Sequence, residues 1–481
     1  MRYVSSNGRA RPITFREAAL RGTAEDGGLF LPERIPALAP EVWECGGGMP
    51  FAETAFAVAR AFFADDFTDG ELRAVVADAF AFDVPLVTLE PSLHVLELFH
   101  GPTLAFKDVG ARFMARVFAH LRRDTDAPLT VLVATSGDTG GAVAAGFHNV
   151  AGVRVVLLYP AGRVSETQER QMTTLGGNIT AVALDGSFDD CQRLVKRALG
   201  DVELRARLAL TSANSINIAR LIPQVFYYVH AYAHLSAQRS THQRERSLPV
   251  VCSVPSGNFG NLTAGLIAQR MGLPIAHFIA ATNANAVVPE YLASGIFQPR
   301  DSLQTLSSAM DVGDPSNFAR MCALYDQDAE RMRRDITGYS VSDDETLGAM
   351  RRIYERHGYV ADPHTAVAYA GFERYRAARM TPCQGIVLAT AHPAKFPETV
   401  RAALGIEAEL PERLRARLSQ PAYSVPLDND FAALCRLLDE NDHRGTQRSE
   451  EEEREGEVNR RGRGERRGRR RGRATQGGWQ S

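Results

Sequence analysis

Lysine is almost missing from this chain. Of its 55 basic residues only Lys107, Lys196 and Lys395 are lysines, and the other 52 are arginine. A guanidinium stays protonated and is no amine nucleophile, so any work that needs a reacting amine falls on three positions. Cysteine is sparse as well: six residues, at 45, 191, 252, 322, 383 and 435, with no Cys-x-x-Cys pair. That scatter argues against a metal site or a disulfide framework and suits a reducing compartment. No apolar run reaches the ~18 residues that a membrane-spanning helix needs. The start, Met1-Arg-Tyr-Val-Ser-Ser-Asn-Gly-Arg9, lacks the apolar core of a secretory signal. A net charge of −2 makes no global case for nucleic acid. The expectation is a cytoplasmic, enzyme-sized protein of 481 residues with two or three domains and no membrane contact.

What is present divides the chain into three stretches. Residues 1–95 read as a mainly helical N-terminal domain, with Ala, Phe and Val recurring at helical spacing between Phe51 and Phe82. Residues 96–430 change to short apolar runs that alternate with helical patterns. The runs are Thr130–Thr135, Val153–Leu158, Ile179–Leu184, Pro249–Pro255 and Ile386–Thr390. Strand and helix in alternation predict an α/β fold with parallel sheets covered by helices. Residues 443–481 carry twelve Arg against seven Glu and almost nothing apolar. Such a tail cannot bury enough surface to offset the cost of ordering, so it is expected to be disordered, with RNA binding through Arg/Gly as its functional alternative.

Three loops at strand-to-helix junctions carry the chemistry, the position where open α/β sheets bind ligands. Thr135-Ser-Gly-Asp-Thr-Gly-Gly141 places hydroxyls and amides at a helix start, where an anion can sit; Ser, Asp and Thr are also ordinary helix caps. Pro255-Ser-Gly-Asn-Phe-Gly-Asn-Leu262 has two glycines that let the backbone close on a phosphate. It lacks the Gly-Lys-Ser/Thr of a nucleotide loop and the Gly-x-Gly-x-x-Gly of a dinucleotide fold. Thr390-Ala-His-Pro-Ala-Lys395 offers a hydroxyl and a histidine at the end of the last apolar run. Lys107 lies in Phe99-His-Gly-Pro-Thr-Leu-Ala-Phe-Lys-Asp108, among turn and apolar residues, whereas Lys196 lies on an ordinary helix face. An amine nucleophile, a phosphate nest, an anion loop and a strand-end hydroxyl are together what pyridoxal phosphate requires.

The ordered motifs resemble the threonine synthase family, of fold type II among pyridoxal-phosphate enzymes. The likeness runs from Met1 to about Arg415. It includes Asp26-Gly-Gly-Leu-Phe-Leu-Pro32, His100-Gly-Pro-Thr-Leu-Ala-Phe-Lys-Asp108, Asn214-Ser-Ile-Asn217 and Ser308-Ala-Met-Asp-Val312, besides the three loops. The resemblance implies that Lys107 is the catalytic residue and carries pyridoxal 5'-phosphate through a Schiff base. Ser256, Gly257, Asn258, Phe259, Gly260 and Asn261 would hold the cofactor phosphate, and Thr390 would face the pyridine nitrogen. Thr135, Ser136, Gly137, Asp138 and Thr139 would bind the substrate, O-phospho-L-homoserine. Arg112 and Lys395 are candidates for its leaving phosphate. The implied reaction is β,γ-replacement, giving L-threonine and phosphate with no metal, in a monomer or homodimer.

One departure concerns the opening. Family members begin Tyr-x-Ser-Thr-Arg-Gly, and here Tyr3-Val-Ser-Ser-Asn-Gly8 replaces Thr with Ser and Arg with Asn, leaving Arg9 as the nearest substitute. The alternative within the fold type is a phospholyase or dehydratase that releases a keto acid.

Overall fold

The structure is a computed structural model and describes residues 1–44, 47–125, 127–238, 248–379 and 381–440. The expected tail at 443–481 lies outside the described residues. Two compact units divide the chain, Met1–Pro426 and Leu427–Ser481. In the second, residues 431–440 are helical. Everything below concerns the first.

Two sheets form its α/β body. One has six strands in the order Ile336–Ser340, Ile275–Thr282, Val250–Pro255, Gln384–Ala389, Leu93–Glu97 and Leu86–Glu90. Neighbours run parallel except the last pair, which is antiparallel. The other sheet has five, including Ile179–Leu184, Val153–Pro160, Leu129–Ala134 and Leu210–Thr211 in parallel. Leu129–Ala134, Val250–Pro255 and Gln384–Ala389 are buried at every residue. Such strands read as unbroken apolar runs because helices cover both faces.

All five strands expected from the sequence are therefore present. The N-terminal region holds helices Phe15–Arg21, Phe51–Phe63 and Asp69–Ala79, as expected, and short strands besides. An antiparallel sheet of Ile13–Thr14, Arg2–Ser5 and Phe30–Pro32 brackets the first of these helices in the chain. Strands of two to four residues leave no alternation long enough to read. The helical spacing between Phe51 and Phe82 is carried by two helices, because Thr68 and Glu71 form a capping box that starts the second.

Aromatic packing ties this region to the helix Lys107–Leu121. Phe113, fully buried on that helix, lies 5.5 Å from Phe63, 6.1 Å from Phe80 and 5.5 Å from Phe226, ring centre to ring centre. Arg320 makes a second tie. Its guanidinium is wholly buried and donates to Phe30 O at 3.0 Å, Ser215 O at 2.9 Å, Ile216 O at 2.6 Å and Asn317 Oδ1 at 2.6 Å. Burial without a carboxylate partner pushes it down to about 9, while these acceptors satisfy most of its donors.

His230 packs edge-on against Phe51, 3.2 Å from the Thr54 hydroxyl and with the His234 ring 4.3 Å away. Burial, then the neighbouring His234, pushes its pKa down to about 3. The folded state therefore keeps it neutral, while the unfolded chain takes a proton near pH ~6.5. Its contribution to stability is complete above that pH and is lost as pH falls toward about 3. Each pH unit in that window costs up to about 1.4 kcal/mol. Urea midpoints measured from pH 7 to 4.5 should fall more steeply for the parent than for His230→Gln; equal slopes would contradict this.

Candidate active site

Three loops leave the C-terminal ends of central strands and converge on one pocket. Thr135 follows the strand Leu129–Ala134, Ser256 follows Val250–Pro255, and Thr390 follows Gln384–Ala389. Lys107, Ser136, Asp138 and Thr139 line this pocket, as do Thr390 and the whole run Ser256 to Asn261. Lys107 opens the helix Lys107–Leu121. Its approach is pinned to the last strand, because Phe106 N donates to Thr390 O at 2.9 Å. Half-buried and turned into the pocket, its amine is pushed down to about 8, chiefly by burial. Asp138 opposes that shift, and the charges of Lys395 and Arg220 add to it.

The loop after Val250–Pro255 is shaped as a cradle. Gly257 has no room for a Cβ, which would lie 2.8 Å from Met310 Cα. Phe259 takes φ +59°, the left-handed conformation that non-glycine residues avoid, and launches the helix Gly260–Arg270. The first-turn N–H groups of that helix have no intrahelical acceptor and face an anion favourably. Asn261 is buried, with Oδ1 accepting from Tyr227 and Tyr228 hydroxyls at 2.7 Å each. Its Nδ2 has no partner among the described residues.

The loop after Leu129–Ala134 is internally braced. Thr135 Oγ1 accepts from Gly137 N at 3.0 Å and Gly140 N at 2.8 Å, so its hydroxyl is spent on the turn and Ser136 and Thr139 remain for a ligand. Gly137, at φ +132°, passes so close to Gln168 that a Cβ would sit 2.4 Å from its side chain. Its neighbours Ser136 and Asp138 line the pocket. Asp138 is buried. Burial alone would raise its carboxyl, but the ammoniums of Lys395 and Lys107 outweigh this and hold it well below the usual carboxylate range.

Four residues singled out in the sequence lie outside the pocket lining. Arg112 does not reach the pocket: its guanidinium donates to Ala79 O at 2.7 Å and Asp78 O at 2.6 Å. Five residues along a helix is a rotation of about 140°, which turns it away from the face of Lys107. Lys395 is no free phosphate ligand, since its ammonium is fully buried 2.6 Å from Asp138 Oδ1. His392 caps the turn Pro393–Lys395 by accepting Ala394 N at 3.1 Å, outside the pocket lining. Arg9 is exposed on a turn whose Ser5, Arg9 and Ala10 donors converge on the Asp26 carboxylate, and neither it nor Asn7 lines the pocket.

Besides Lys107, a further basic side chain that lines the pocket is Arg220, beside Asn214 and Ser215. It is buried, burial pushes it down to about 10, and its Nε has no partner among the described residues. Its position is tight: a Cβ at Gly110, on the Lys107 helix, would lie 2.9 Å from that Nε. One signal lay in the sequence, since Arg220 follows the Asn214-Ser-Ile-Asn217 motif by three residues. His364 also lines the pocket, with Nδ1 2.7 Å from Asp362 and Nε2 accepting Ala309 N at 3.2 Å.

Known families cover nearly the whole of this arrangement. Residues 84–391 match the family described as pyridoxal-phosphate dependent enzyme, residues 2–80 the threonine synthase N terminus, and residues 365–437 the threonine synthase C-terminal family. Threonine synthase of Haemophilus influenzae is 46% identical over 428 residues, spanning 89% of this chain and 96% of that protein. The chain belongs to the threonine synthase family. Threonine synthase of Escherichia coli is 44% identical over 427 residues. Its crystal structure matches with a TM-score of 0.83 over 91% of this chain and 99% of that one. The pyridoxal-phosphate-bound threonine synthase of Brucella melitensis, 36% identical, matches with a TM-score of 0.84 over 92% and 99%.

Like the family, this chain is a pyridoxal-phosphate-dependent lyase, and its cofactor is pyridoxal 5'-phosphate. The pocket fits that group on its own chemistry. It offers a depressed amine, a glycine cradle at a helix start, an unpartnered Asn261 amide and a neutral Thr390 hydroxyl. No group of three or more His, Cys, Asp or Glu among the described residues could hold a metal ion. No helix among them is long and apolar enough to cross a membrane.

Proposed function

We propose that this chain converts O-phospho-L-homoserine and water to L-threonine and phosphate. The observation that supports the reading is a buried guanidinium, Arg220, lining the pocket with Asn214 and Ser215 beside the cradle Ser256 to Asn261, which could take a second anion. A cofactor phosphate and a leaving phosphate need two such places. Bound pyridoxal phosphate supplies the electron sink that makes a substrate C–H acidic next to the amino group.

The protein's residues do the rest. Lys107 holds the cofactor and is the group placed to take the proton from Cα and then to move one at Cβ. The hydroxyls of Ser136 and Thr139, with the first amides of the helix Asp138–Phe147, hold the substrate carboxylate. Arg220, with its unpartnered Nε, meets the charge that grows as phosphate leaves Cγ, and burial strengthens that attraction. Thr390 presents a neutral hydroxyl to the pyridine nitrogen. A proton delivered to Cγ makes the methyl group, water adds at Cβ, and a proton returned to Cα completes threonine, Lys107 being the group placed to deliver both protons. A cytoplasmic location, a monomer or homodimer, and a division between N-terminal domain and catalytic core near residue 95 belong to the same reading.

The test is product identity. With O-phospho-L-homoserine the purified chain should release threonine and inorganic phosphate in equal amounts. A keto acid, 2-oxobutyrate, as sole product would make it a phospholyase instead.

A further inference from the structure

Two of the three lysines act on one carboxylate. Lys395 is completely buried and Asp138 is 4% exposed, with 2.6 Å between Nζ and Oδ1. The same ammonium donates to Thr103 O at 3.0 Å. Thr103 is itself fixed by Asp108, which accepts from its N–H at 2.8 Å and its hydroxyl at 2.7 Å. Gln168 Nε2 gives Asp138 a neutral contact at 3.1 Å. Lys395 thus joins the loop leading to Lys107 with the start of the helix Asp138–Phe147, while staying out of the pocket lining.

Asp138, in contrast, faces the pocket together with Lys107. A buried carboxylate left without a cation is strongly disfavoured. Without Lys395, Lys107 would be the cation nearest in role to satisfy it, and a protonated Lys107 can neither attack an aldehyde nor take a proton from carbon. The geometry points to Lys395 as a positioning residue that occupies Asp138 and so leaves the Lys107 amine free to lose its proton. This rests on the reading of Lys107 given above.

The remaining charged groups around the pair do not replace it. Arg220 adds positive charge beside Lys107, and Asp108 is turned to Thr103. His364 feels the Asp138 charge but is bonded through Nδ1 to Asp362 and accepts Ala309 N at Nε2. Burial, with Lys395 and Arg220, holds the Lys107 amine near 8 against the pull of Asp138, the balance that the inference requires.

The experiment compares full-length Lys395→Met, Asp138→Asn and the double variant with the parent. One readout is the pH dependence of kcat in the holoenzyme. The other is the pH dependence of the rate at which cofactor-free chain takes up pyridoxal phosphate, which follows the neutral fraction of the amine. Lys395→Met should move the limb that reports this amine upward by about one pH unit or more. Activity near neutral pH then falls about tenfold and recovers in alkali. The double variant should return the limb to or below the parent position, and Asp138→Asn alone should move it downward. Should Lys395→Met fail to fold, the direction of the Asp138→Asn shift decides. Limbs that stay in place while only amplitude falls would make Lys395 a structural tie and overturn the inference. If a Lys107→Met chain took up pyridoxal phosphate with the parent's pH dependence, the reading of Lys107 itself would fail instead.

Discussion

Lys107→Arg should abolish turnover and remove the visible absorption of the bound cofactor in one step. Positive charge is kept, but a guanidinium forms no covalent bond with the pyridoxal aldehyde and does not give up its proton near neutral pH. Burial, which here brings the amine down to about 8, is what lets a lysine act as a base at all. The loss should be at least about 10³-fold in kcat, since the proposed mechanism assigns both the covalent attachment and the proton transfers to this nitrogen. Absorption spectra and rates on one preparation check it. Retained turnover with normal absorption would move the cofactor to another residue.

Arg220→Met should lower kcat/KM for the phosphorylated substrate by on the order of 10²-fold or more while cofactor absorption stays intact. Removing one partner of a buried, charge-assisted contact costs about 2–5 kcal/mol, far more than an exposed ion pair. The loss should fall on substrate affinity and on the step that releases phosphate, and inhibition by inorganic phosphate should weaken in parallel. Arg220→Lys should recover only part, because an ammonium lacks the planar fork that meets two phosphate oxygens at once. Arg112→Met provides the contrast. Its guanidinium lies on the carbonyls of Asp78 and Ala79, so kcat/KM should stay close to the parent. Equal losses in the two variants would place the phosphate elsewhere.

Arg220 and Arg112 also mark how far the sequence is readable. The three loops that meet at the pocket were legible because each is contiguous: an apolar strand, then glycines with hydroxyls or amides, at the strand end where α/β folds bind ligands. Lys107 stood out because lysine is otherwise almost absent. Among 52 arginines, however, charge alone marks none of them. The pocket arginine is chosen by a helix junction, Ile218–Leu221, that brings it against Gly110, a contact between segments far apart in the chain. Arg112 looked closer only because it is near Lys107 in sequence; helical rotation sends it to the other face. Lys395 was read as a ligand because its neighbours are site residues, whereas its real partner, Asp138, comes from a different sheet's loop. The short N-terminal strands escaped for a separate reason, since two to four residues show no period.

The most direct measurement is borohydride reduction of the holoenzyme followed by peptide mapping. A pyridoxyl group should appear on the peptide that contains Lys107, with Lys196 and Lys395 unlabelled. A label on either of those, or no label on a chain that has taken up pyridoxal phosphate and turns over substrate, would contradict the assignment on which the rest depends.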